Sequence, residues 1–205
     1  GVAFALVARS VGLEERVEAH AAGVDGAWNE ADRALARGDK NGAWRLLRER
    51  MLHHPSDDDA ALAYWDLAAQ LGRSREAAPV ILRLLRSQLE RHEQESALRQ
   101  WDELKERVPD ALPAVDLAVR LAACVLERGS RGEAAAMLRD ALRRTDATTT
   151  PQVLAELATT AADADRALAA EAATRALAHP GQPREVRPAL ERLAGGAPAD
   201  RIATG

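Results

Sequence analysis

Apolar residues recur at three-and-four spacing along most of this chain, and no alternating strand pattern interrupts them. The clearest stretch is Asp116 to Arg143. Leu117, Leu121, Ala122, Val125 and Leu126 fall on one helical face, and Ala134, Met137, Leu138, Ala141 and Leu142 form a second stripe. Gly129 separates them and can take the left-handed conformation that ends many helices. Ser130 then stands as an N-cap, with Glu133 three residues on in capping-box spacing. A turn this short predicts two antiparallel helices. Small residues on both stripes (Ala122, Ala134, Ala141) allow the helix axes to approach closely.

The same grammar runs through the rest of the chain. Ala31 and Ala34 lead to Gly38, and Asp39 is placed to cap a helix carrying Ala43, Trp44, Leu47 and Met51. His53-His54-Pro55 ends that helix, since proline disfavours helix at the residue before it. Ser56 with Asp59 reads as another cap, and Asp57, Asp58 and Asp59 suit a helix N-terminus. A helix over 60–71 then stops at Gly72. Another is expected over 73–91, with Pro79 in its tolerant first turn, and a further one over 95–107 before Pro109 and Pro113. Thr150-Pro151 predicts an N-cap followed by proline at the first helical position. Weaker, alanine-rich helices follow over 153–162 and 164–178, and a last helix over 184–193 is expected to cap the array.

Two spacings set the architecture. Gly38 to Gly72 and Ala43 to Ala77 span the same interval. With Leu121, Ala122, Val125, Gly129, Ala134, Leu138 and Ala141, this resembles the tetratricopeptide repeat (TPR), whose period the interval matches. Ala118 stands where that family has Trp, and the closing Pro is missing. The resemblance implies an all-α fold, an α-solenoid of stacked antiparallel helix hairpins with about nine to ten helices. The set Ala43, Leu47, Pro55 recurs at Ala97, Trp101, Pro109, an offset of about one and a half repeats. The phase of the helices therefore slips between Asp58 and His92, through one extra helix or a departure from strict TPR geometry.

Composition supports this reading. Aromatic residues are only 3% of the 205, and Ala, Leu, Arg and Glu dominate, which favours helix. A net charge of −4 argues against a general nucleic-acid binder. The lone Cys124 excludes an internal disulfide and sits among Leu121, Ala122 and Val125, as a small buried residue would.

The chain opens on GVAFALVA, eight apolar or small residues followed by Arg9. This run is too short to span a bilayer, which takes about 20 apolar residues, and Arg9 lies on the wrong side for a signal peptide. It can pack on the domain as a buried helix or form the end of a truncated membrane helix. Gly1-Val-Ala-Phe-Ala-Leu-Val-Ala-Arg, running into Ser10-Val-Gly-Leu-Glu-Glu-Arg, resembles the end of the last core transmembrane helix of rhomboid intramembrane serine proteases. The resemblance implies a protease whose catalytic Ser and His lie upstream of Gly1, with the present chain as its cytoplasmic tail. It covers only residues 1–18 and places no catalytic residue on this chain.

The expected organisation is a truncated transmembrane or apolar helix over 1–13, a linker helix over 14–23, a TPR-like domain over 24–195 and a tail over 196–205. No phosphate loop and no nucleophile elbow appears. His53-His54 is the one histidine cluster and lacks a metal-site spacing. No catalytic residue, cofactor or metal is therefore expected. Stacked hairpins suit recognition, so the expected function is non-catalytic protein–protein interaction, either as that membrane-anchored tail or as a free-standing soluble adaptor. Partner contacts are expected at Asp25, Trp28, Asp32, Asp59 and Asp66, on the first helices of the first two repeats. These positions would favour a basic partner segment. Trp65 is a second aromatic candidate for the groove.

Overall fold

The computed structural model describes residues 26–195. The expected segments 1–13, 14–23 and 196–205 lie outside that range, as does Asp25. The described residues form ten α-helices and no strand: α1 (Gly26–Ala36), α2 (Lys40–His53), α3 (Asp58–Gln70), α4 (Ser74–Glu90), α5 (Gln94–Arg107), α6 (Val115–Glu127), α7 (Arg131–Arg143), α8 (Pro151–Ala164), α9 (Arg166–Ala178) and α10 (Arg187–Gly195). Two compact units divide within α4, Gly1–Ile81 and Leu82–Gly205.

In the first unit α2 packs against both α1 and α3. Its interior combines alanines with a few large side chains: Ala31, Ala34, Ala43, Leu47, Ala60, Tyr64, Trp65 and Ala68 are all buried. In the second unit α6 packs on α7 and α8, α7 on α8, α8 on α9 and α10, and α9 on α10. Each helix thus meets its successor and the one after, which is the stacking of an α-solenoid. The core there is one continuous cluster from Ala118 to Leu190, in which alanines such as Ala122, Ala158, Ala169 and Ala173 separate leucines such as Leu138 and Leu157. Leu190 of α10 is fully buried, so the last helix closes the end of the core.

Four helix junctions share one turn. At Gly38, Gly72, His92 and Gly129 the backbone takes positive φ. In each turn that residue's amide donates to the carbonyl three back, and the next amide donates to the carbonyl five back: Gly38 to Leu35 and Asp39 to Ala34, Gly72 to Ala69 and Arg73 to Ala68, His92 to Leu89 and Glu93 to Gln88, Gly129 to Leu126 and Ser130 to Val125. This is the Schellman arrangement, which satisfies carbonyls that the helix end leaves open. Its repetition locates the slip in phase. Tight turns of this kind flank α4 on both sides, so α3, α4 and α5 run in direct succession and one helix is extra. The long interval between Ala43 and Ala97 records that helix.

His92 is the one non-glycine among the four, at φ 61°. The left-handed region crowds Cβ against backbone oxygen, a cost that exceeds glycine's extra chain entropy. His92→Gly is expected to stabilise the chain by about 0.5–1 kcal/mol. Urea denaturation of the two proteins checks this, and an unchanged or lower midpoint would count against the strain.

Several local expectations are corrected. Ser130 occupies the N-cap of α7 but makes no side-chain cap bond. Glu133 instead faces Lys105 and Arg128, so the capping box is replaced by ion pairs from neighbouring elements. The cap of α3 is Asp57 rather than Ser56, accepting from the Ala60 amide at 2.9 Å. Asp39 and Thr150 do cap, accepting from Gly42 and Val153. Pro79 lies sixth in α4, beyond the first turn. The proline and Arg75, four residues before it, are both exposed, so water can reach the backbone that the proline cannot serve. The alanine-rich pair is longer at its start than expected: α8 begins at Pro151, and Asp165 alone joins it to α9.

Candidate interaction surfaces

Asp32 and Asp66, two of the acidic positions named from the sequence, hold equivalent places in the fold. Asp32 precedes Gly38 as Asp66 precedes Gly72, six residues before each turn, and Asp25 and Asp59 each precede those turns by thirteen. Because the two turns have the same geometry, Asp32 on α1 and Asp66 on α3 share one helical register. Asp32 is half-buried, and burial pushes its carboxyl above the ordinary range. Asp66 is half-buried and Asp59 is exposed in the first turn of α3. Trp28 belongs to α1, and its side chain is outside the described ones.

The other tryptophans are packing residues. Trp65 is 1% exposed and so is no groove-lining side chain: its place on α3 turns it into the core. Trp44 is also buried and stacks on Tyr64 with ring centroids 5.2 Å apart and planes 18° apart. The Arg73 guanidinium lies 4.8 Å from the Trp44 centroid and that of Arg48 lies 6.0 Å away. Nothing in the spacing of the sequence announces this group, since Arg73 enters only because the Gly72 turn carries the chain back over α2.

In the second unit a shallow depression lies between α4 and α6. Its lining combines the apolar Leu89, Ala123 and Cys124 with charged side chains such as Glu90, Arg120 and Glu127. Burial pushes the Cys124 thiol up, away from the thiolate that a reactive cysteine needs. Arg86 and Asp116 are joined side by side across the same two helices, and the hydrogen bond from Arg86 holds the Asp116 carboxyl below its usual range. A second network ties α5 to the α6–α7 hairpin: Asp102 pairs with Lys105 at 3.0 Å and with Arg128 at 2.7 Å, while Glu133 meets both cations. Burial raises the Asp102 pKa, but hydrogen bonds from Arg128 and Lys105 outweigh it and the net shift is downward. The cation of Lys105 also stands 5.7 Å from the Trp101 ring. These contacts link successive hairpins and fix their register.

Further arginines act on backbone. Arg144 donates to the Pro113 carbonyl at 2.7 Å while pairing with Asp140. Arg175 repeats the device one hairpin later, donating to the Leu142 carbonyl and pairing with Glu171. Pro113 lies in the loop that leads into α6, and Leu142 lies in the last turn of α7, where carbonyls lack helical donors.

Among the described residues no three His, Cys, Asp or Glu side chains are placed to hold a metal ion. No described helix is long and apolar enough to cross a membrane.

No protein-family model matches the sequence, and no curated protein matches it. Similar solved structures include a thermophilic TPR protein of Thermus thermophilus, at 18% identity, covering 82% of this chain and 99% of that one with a TM-score of 0.37. A tetratricopeptide repeat protein from Parabacteroides merdae ATCC 43184 is 16% identical over 90% of this chain and 76% of its own, at 0.36. MamA (41-end) from Desulfovibrio magneticus RS-1 is 17% identical over 82% of each chain, also at 0.36. At such scores the assignment of fold rests on the chain's own repeated turns and stacked hairpins: an all-α, TPR-like stack.

Proposed function

We propose that this chain is a non-catalytic recognition domain that binds a basic segment of a partner protein along α1 and α3. The observation that carries the proposal is the repeated acidic register: Asp25 with Asp59 and Asp32 with Asp66, each pair separated by the same interval as the Gly38 and Gly72 turns. Carboxylates repeating at one place on successive hairpins offer a ladder of charge to an extended partner, and such complementarity sets specificity and on-rate. Half-burial at Asp32 strengthens its interaction with a cation, because fewer waters screen it.

The resemblance of residues 1–18 to the end of a rhomboid transmembrane helix supports a finer reading. In it the domain is the cytoplasmic tail of a membrane serine protease and recruits substrates or partners to it. A free-standing soluble adaptor is the alternative, with the apolar segment packed on the hairpins. Membrane fractionation of the full-length gene product separates the two: recovery in the membrane fraction supports the tail, and a soluble product supports the adaptor.

The binding test uses a labelled Lys/Arg-rich peptide and the full chain. The expected result is binding that weakens as salt rises, with Asp66→Asn and Asp32→Asn each weakening it about threefold to tenfold at low salt. A basic peptide that shows no salt-dependent binding would sink the proposal.

A further inference from the structure

The chain has two asparagines, Asn29 before Glu30 and Asn41 before Gly42. The side-chain carbonyl of an asparagine can be attacked by the backbone nitrogen of the next residue, and glycine hinders that approach least because it has no Cβ. Asn41 and Gly42 are the second and third residues of α2, the first exposed and the second buried. The Gly42 amide donates to Asp39 Oδ1 at 2.8 Å, and the Ala43 amide donates to the Asp39 carbonyl. A Cβ at position 42 would run into the Asp39 carboxylate. Any larger residue there would force Asp39 to swing away and give up the cap. The cap therefore requires glycine after Asn41, and it also holds the nitrogen that would attack.

We infer that Asn41 is a site of spontaneous deamidation whose rate is set by opening of the α2 N-terminus, with the Asp39 cap as its guard. Water is the only co-reactant. The Gly42 nitrogen gives its proton to solvent and bonds to the Asn41 side-chain carbonyl carbon. The bond from that carbon to Nδ2 breaks, and ammonia leaves with a proton taken back from solvent. The five-membered imide then adds water at either carbonyl and opens to aspartate or to isoaspartate. Ring closure requires the Asn41 backbone to leave the helical well, so the reaction proceeds only from the locally opened chain. The two products differ in consequence. Aspartate keeps the backbone and adds a negative charge in the first turn, where the helix dipole favours it. Isoaspartate lengthens the main chain by one carbon, which carries the Gly42 amide away from Asp39. The first turn of the helix that α1 and α3 pack on is then lost.

This chemistry needs no partner and is independent of the recognition role. The experiment incubates the full chain at physiological pH and temperature, folded and in urea. Samples are digested with pepsin at acid pH, where ring closure stops, and mass spectrometry follows the conversion of amide to acid at each asparagine. Asn41 is expected to convert while Asn29, whose neighbour Glu30 obstructs the attack, stays intact over the same time. Conversion at Asn41 is expected to be at least about tenfold faster in urea than in the folded chain. Asp39→Ala, with its circular dichroism intact, is expected to speed the folded reaction about fivefold, the factor that a lost cap contributes to opening. Asp39→Ser keeps a capping oxygen and is expected to stay within about twofold of the parent. The thermal midpoint of the aged parent is expected to fall with its isoaspartate content, while freshly made Asn41→Asp keeps the parent value. Equal rates in the parent and Asp39→Ala would overturn the guard, as would a serine variant as fast as the alanine one. An Asn41 still intact in Asp39→Ala when the chain in urea has converted would overturn the site itself.

Discussion

Asp57→Ala is expected to lower the stability of the first unit by about 3–5 kcal/mol, a large part of what holds a small domain folded. Two roles meet in that carboxylate. One oxygen caps α3 through the Ala60 amide. The other accepts from Arg50 Nε at 2.6 Å, with the arginine side chain 5% exposed and the aspartate 17%. Arg50 lies on α2, whose C-terminal end is thereby pinned to the start of α3. Alanine removes the cap, worth about 1 kcal/mol, and takes the Asp57 countercharge from a buried guanidinium, which is the costlier loss. Urea unfolding followed by tryptophan fluorescence measures it, because Trp28, Trp44 and Trp65 all belong to this unit. Asp59→Ala, at an exposed position two residues on, serves as control and is expected within about 0.5 kcal/mol of the parent. Asp57→Asn with Arg50→Met is expected to regain most of the loss, since asparagine caps well and methionine asks for no countercharge. A loss below about 1 kcal/mol for Asp57→Ala would mean that Arg50 is solvated in solution.

Leu138→Ala is the second large effect, with an expected loss near the upper part of the usual range of about 2–5 kcal/mol for buried leucine. Leu138 is fully buried in α7 and shares its cluster with Ala122, Val125, Leu154 and Leu157. The cost of such a truncation depends on how far the surroundings collapse into the gap. The alanines around it have no rotamer to change, so that side of the gap is refilled only by moving helices. Trp101 is the single tryptophan of the second unit, and it reports this variant. Leu138→Met, which nearly conserves volume, is expected to cost less than about 1.5 kcal/mol. Equal midpoints for the alanine variant and the parent would show that α7 is not packed as described.

The sequence displayed the hairpins because their turns use glycine, a residue whose presence carries a conformational meaning. Gly38, Gly72 and Gly129 could be read directly, whereas His92 could not, since nothing in a histidine announces positive φ. The extra helix left a trace in the spacing between Ala43 and Ala97, but only the identical turns on both sides of α4 identify it. Local chemistry was legible where a cap bonds within its own turn, as at Asp39 and Thr150. It was hidden where a distant charge intervenes: Glu133 lies in capping-box spacing from Ser130, yet Lys105, 28 residues earlier, claims it. The acidic positions were visible as residue types, and the turn geometry supplied the common register of Asp32 and Asp66. The Trp44, Tyr64 and Arg73 group depends on three elements meeting in space, which no periodicity encodes.

One measurement tests the claim that the charged faces of these hairpins are recognition surfaces. Amide spectra of the ¹⁵N-labelled chain are recorded during titration with the basic peptide. The account predicts that the peptide shifts resonances of α1 and α3 around Asp32, Asp59 and Asp66. Shifts confined to other helices, or no shift at saturating peptide, would contradict it.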